Sequence, residues 1–257
     1  MRILSAILAI SMGGLAASAN AGQWNLTYDG YGSSLVTNIS YNASASWDAA
    51  PAGSFNAIRV GSHLFSTGNL SYETFCVQIF EGLTVGDTIC FDEVAVSQVP
   101  DASPAPGPMG ALKATLVQDL YWRFYDYTTD ESVDAATADT RYAAFQIALY
   151  EVTHESIDAS DAAGALAQLG LGQGAFQAAE RTTTPGSADA ISLAAQMLAA
   201  LGTDGFHFFG SGLKGLTNPT FQDQLVIVPV PAAVGLAAAG LLGLGAVRRR
   251  MNARAKH

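Results

Sequence analysis

Two residues in this 257-residue chain stand where their chemistry is out of place. Gln146 lies one helical turn after Tyr142 and just before Leu149, on a stripe completed by Phe145, Val152 and Thr153 that should be buried. A buried carboxamide needs partners or costs about 1–3 kcal/mol. Cys76 falls in the middle of an alternating segment, and Cys90 is the only other cysteine. Tyr72–Phe80 and Asp87–Val96 read as the two strands of a hairpin with its turn at Glu81–Gly86. That register sets Cys76 and Cys90 opposite each other on one face. A disulfide closing such a loop would add about 3 kcal/mol in the chain-entropy model.

Other reactive side chains form weaker patterns. His63, His154, His207 and His257 are scattered. Glu151 and His154 share a helix face at i, i+3, which is two ligands short of a structural metal site. Asp126, Asp130, Glu131 and Asp134 read as a solvated acidic turn without the order of a calcium loop. The glycine-rich Gly170–Gly174 has no strand before it, and no Ser-His-Asp signature or phosphate loop is present. The expectation is a non-enzyme with no catalytic residues, no metal and no cofactor.

The elements that must hold these residues change character along the chain. Trp24–Tyr28 and Leu35–Tyr41 alternate like strands. Ser97–Gly110 contains four prolines and two glycines and reads as a linker. Ala111–Tyr125 carries Leu112, Leu116, Leu120 and Phe124 at helical spacing, and Asp139–His154 is a second helix. The Asp- and Thr-rich stretch between them suits a turn and an N-cap. Ser160–Ala179 and Ser187–Leu201 read as two more helices, and Phe206–Phe209 and Phe221–Val228 as closing strands. Strands, then helices, then strands predict an α+β fold: a β-sandwich or barrel with a helical insertion.

Both termini read as targeting devices. Residues 1–21 have the order of a signal peptide: Arg2, the apolar run Ile3–Leu15, then Ala17-Ser18-Ala19 and Ala19-Asn20-Ala21 as cleavage patterns. Residues 22–227 would then be an extracytoplasmic domain. In 228–257, Val228-Pro229-Val230-Pro231-Ala232 precedes an uncharged span, 232–247, followed by Arg248, Arg249 and Arg250. As a helix the span rises about 24 Å against a bilayer core of about 30 Å, a gap that snorkelling arginines can cover. The arginines belong on the cytoplasmic side, leaving the body outside. Of the 12 basic residues six lie in 22–228, together with all 22 acidic ones. Such a body repels nucleic acid.

The tail resembles the PEP-CTERM sorting signal, most nearly its VPLPA-CTERM variant, with Val230 where Leu is usual. That resemblance implies an exosortase-type membrane enzyme as a processing partner, in bacteria that make extracellular polysaccharide. Cleavage and permanent anchoring both remain open. Thr74-Phe75-Cys76-Val77-Gln78 together with Ala143–Glu151 resembles a motif pair of PEP-CTERM proteins, and is similar to the Cys–Gln (TQXA-type) thioester domains of surface adhesins. Gln78 replaces the usual acid and Tyr150 the usual Trp. The resemblance implies that Cys76 and Gln146 form an internal thioester able to bond a target amine; the Cys76–Cys90 disulfide is the competing expectation. The function expected is an exported envelope or extracellular-matrix protein, structural or adhesive in a biofilm, with a covalent thioester adhesin as the alternative. Its expected partners are extracellular polysaccharide or surface amines.

Overall fold

The computed structural model describes residues 22–79, 81–101 and 106–228. The signal peptide expected at 1–21, the sorting residues from Pro229 on, the span 232–247 and His257 lie outside the described residues. No helix among those described is long and apolar enough to cross a membrane.

The chain is α+β, built on one large antiparallel sheet. Seven strands appear in the order β1 (Gln23–Tyr41), β2 (Asn56–Thr67), β3 (Leu70–Cys76), β4 (Thr88–Val94), β5 (Phe176–Ala179), β6 (Leu213–Thr217) and β7 (Gln224–Ile227). Four helices, α1 (Gly110–Thr128), α2 (Ala135–His154), α3 (Ala162–Leu166) and α4 (Ser187–Ala200), lie between β4 and β6, with β5 among them. The sheet order is β2-β3-β7-β6-β4-β1-β5, and β1 also pairs with β2, so six strands close a ring. Closure removes exposed edges. Leu26, Tyr28, Phe65, Ile89, Phe91, Leu216 and Val226, from five ring strands, pack into one small core.

The expected pair of early strands is one strand. β1 spans 19 residues because its edges serve three partners: Gln23–Thr27 pairs with β4, Thr27–Ile39 with β2, and Asn38–Tyr41 with β5. Two bulges bend it, between Tyr28 and Gly30 and between Tyr31 and Ser34. At the second, Gly61 faces Ser34 with φ +145°, and a Cβ there would strike the Ser33 carbonyl and Ser34.

The larger core lies between the sheet and α2. The Asp134 carboxylate caps α2 by accepting from Thr137 N at 3.0 Å. Every residue from Tyr142 to His154 is buried, so α2 is wrapped on all sides rather than lying amphipathic on the surface. Phe75 of β3 packs on Phe145 at 4.7 Å between ring centroids and stacks with Tyr142.

Three expected elements differ. The 72–96 hairpin does not form: β3 lies between β2 and β7, whereas β4 lies between β1 and β6. A strand far along the chain takes the edge of β3 that sequence adjacency would have given to β4. The helix expected over 160–179 is cut to the short α3, because Phe176–Ala179 pairs with the end of β1. Phe206–Phe209 is not a strand. Its amides turn to α1 instead, His207 N donating to Asp119 Oδ1 at 2.9 Å and Phe209 N to Gln118 Oε1 at 3.1 Å.

Candidate functional site

Cys76 closes β3, opposite Gln224 of β7. α2 crosses this strand end, and Gln146 and Tyr150, one turn apart, both reach it. Gln146 Nε2 donates to the Cys76 carbonyl at 2.8 Å, which turns its Oε1 toward the sulfur, 3.7 Å from Sγ. Tyr150 Oη lies 2.6 Å from Sγ. Gln146 and Tyr150 are fully buried and Cys76 is 3% exposed. The two residues singled out in the sequence, 70 positions apart, are buried side-chain neighbours.

Burial pushes the Cys76 thiol up to about 12, with the Tyr150 hydroxyl bond pulling the other way. Burial likewise holds the Tyr150 phenol well above its ordinary range. The sulfur is therefore a protonated thiol at neutral pH, in contact with the Gln146 carboxamide.

The backbone beyond Cys76 is clamped to residues 222–223, just before β7. Val77 N donates to Asp223 O at 3.0 Å, Asp223 N donates to Gln78 Oε1 at 2.9 Å, and Gln222 Nε2 donates to Gln78 O. Gln78, where the resembling motif carries an acid, is thus a bridge to residues 222–223. Asp223 in turn accepts from Asp101 N at 2.6 Å and Asn218 N at 2.8 Å, and burial lifts it to about 7.

Cys90 is placed elsewhere. It sits opposite Asn25 of β1, exposed, while Cys76 is buried against α2, and both are free thiols. The register on which the Cys76–Cys90 disulfide rested is absent, since β3 and β4 are not neighbours.

The remaining candidates are dispersed. His154 is the buried last residue of α2, its Nδ1 2.8 Å from Thr153 Oγ1. Glu151 accepts from Gly170 N at 2.6 Å. His207 stacks on Trp122 at 3.6 Å and meets Asp119. Of the acidic turn, Asp134 is the α2 cap and Asp130 accepts from Ser132 N at 3.0 Å. No group of three or more His, Cys, Asp or Glu among the described residues could hold a metal ion.

Three residues beside Cys76 were given no role by the sequence. Tyr150 entered it only as a departure from Trp, although its place four residues after Gln146 was a usable signal. His63 and Gln224, from β2 and β7, meet beside Cys76 at 3.2 Å through pairings that no local pattern announces. Neither family models, curated proteins nor solved structures offer a match to this chain.

Proposed function

We propose that this chain is an exported surface or envelope protein whose outer domain makes an internal thioester between Cys76 and Gln146 and uses it to attach covalently to an amine. The observation that carries the reading is the buried contact itself: a thiol 3.7 Å from the oxygen of a carboxamide whose nitrogen is held by the cysteine's own carbonyl. The sulfur attacks the side-chain carbonyl carbon of Gln146, the C–S bond forms, the C–N bond breaks, and the thiol proton leaves with the nitrogen as ammonia. A retained acyl group of this kind is nucleophilic catalysis stopped at its intermediate. Complete burial of Gln146 supports it, because the product must be kept from water.

Signal and tail complete the proposal. The apolar leader and the arginine-clamped span place the acidic body outside, where an exosortase-type enzyme would process the tail and where matrix polysaccharide and surface amines are found. The adhesive role follows from the covalent chemistry; a purely structural envelope role is what remains if the bond does not form.

Intact mass of the exported protein tests it. The expected mass is lower by one ammonia, and methylamine should restore it with its own mass added. A full mass with Cys76 free in native protein would refute the thioester.

A further inference from the structure

A cavity of about 190 Å³ opens beside the buried pair, and its lining includes Cys76, Tyr150, Tyr31, Arg59, His63 and Glu81. His63 is 3% exposed, with the Tyr28 and Tyr31 rings edge-on to it at 5.4 and 5.0 Å. Its tautomer follows from its partner. Gln224 Nε2 donates to Gln222 O at 3.0 Å, so Gln224 Oε1 faces the other way, where it accepts from Thr74 Oγ1 at 2.9 Å and lies 3.2 Å from His63 Nδ1. An acceptor opposite Nδ1 requires Nδ1 to carry the hydrogen, which leaves the lone pair on Nε2. Burial also lowers the His63 pKa to about 4, against the opposing pull of Gln224, so the ring is neutral at neutral pH.

We propose that His63 is the general base for acyl transfer from the thioester to a primary amine that reaches it through this cavity. This rests on the thioester reading above. The amine nitrogen attacks the Gln146 acyl carbon, and His63 Nε2 takes one N–H proton as the C–N bond forms. The C–S bond breaks, its electron pair goes to sulfur, and the proton passes from His63 to Cys76. The products are a thiol and an N-substituted Gln146 side chain. Tyr150 Oη, 2.6 Å from Sγ, is placed to hydrogen-bond the departing sulfur. Glu81 Oε2 is buried with no hydrogen-bond partner among the described residues, so the lining offers an acceptor to an N–H of the arriving amine. Arg59, 5.3 Å from the Tyr31 ring centroid, is the cation on the same lining.

The test uses the full exported protein and two readouts. Intact mass first reports whether ammonia has been lost; if wild type has not lost it, the thioester reading fails and His63 is not at issue. Given that loss, His63→Asn and His63→Gln, each keeping an N–H donor for Gln224, are expected to form the thioester and to take up methylamine about 100-fold more slowly. With hydroxylamine, the wild-type rate per unprotonated nucleophile should fall as pH drops through about 4, and the variants should show no such limb. Gln224→Glu, which gives Nδ1 a carboxylate partner, should move that limb to higher pH. Variants that form the bond and acylate methylamine at the wild-type rate would overturn the proposal. So would a limb unmoved in Gln224→Glu, even where the His63 variants misfold.

Discussion

At the scale of single residues, the proposed chemistry turns on how one sulfur is held. Tyr150 is its nearest polar contact, and that bond lowers the thiol pKa against the rise caused by burial. Tyr150→Phe removes the hydroxyl while keeping the ring, so the thiol should become harder to ionise. A neutral hydrogen bond is worth about 1 kcal/mol, so ammonia loss followed by mass during refolding should slow about fivefold. The two cysteines also differ in access. A thiol reagent added to native protein should label Cys90 alone. After unfolding, Cys76 should still resist labelling until methylamine or hydroxylamine has released it. Labelling of both cysteines on simple unfolding would mean that no acyl bond was there.

At the scale of elements, the legible parts were those whose pattern is local. α1 and α2 were visible from the spacing of their apolar residues and α4 from its alanines, although α2 begins at Ala135 behind its Asp134 cap rather than at Asp139. The site was legible through α2, because a glutamine on a stripe of Phe145, Leu149 and Val152 is conspicuous. What was not legible depends on distant pairing. β3 is the return strand of a two-residue hairpin with β2, but its other neighbour, β7, lies more than a hundred residues further on, so no local rule could fill that edge. β2 and β6 were missed because glycines and polar residues interrupt their alternation, and ring closure rather than propensity makes them strands. The β1 bend is similarly non-local. Gly61→Ala would force a side chain at φ +145° into the Ser33 carbonyl, and should destabilise the domain by about 2–3 kcal/mol, read as a lower Tm. Gly53→Ala, with open space around it, should leave Tm unchanged.

At the scale of the whole molecule, buried ionisable groups set a pH window. Glu151 titrates near 4.5 in an unfolded chain and is pushed up to about 8 by burial, close to Lys113 and Glu155. Between those values the native state holds a proton the unfolded state has lost, so this residue's contribution falls as pH rises from 4.5 to 8. His154 acts in the opposite sense. Burial lowers it from 6.5 to about 3, so stability gained from it rises over that interval and is complete above 6.5. Thermal stability should peak in mildly acidic to neutral solution and decline toward pH 8. Glu151→Gln should remove much of that decline, by on the order of 2 kcal/mol at pH 8, and change little near pH 4.5. Loss of stability in Glu151→Gln at pH 8 would contradict this assignment. For topology, a reporter joined just upstream of Pro229 should be active outside the cytoplasm.

The clamp on Val77 and Gln78 comes from residues 222–223, almost the last of the described residues. In the export proposed above, a polypeptide threaded outward from its N-terminus would deliver Cys76 and Gln146 long before that brace. Assembly of the reactive bond would therefore wait for the final strand to dock, leaving a half-emerged or truncated chain chemically silent. Under that proposal, arming would coincide with the arrival of residues 222–223.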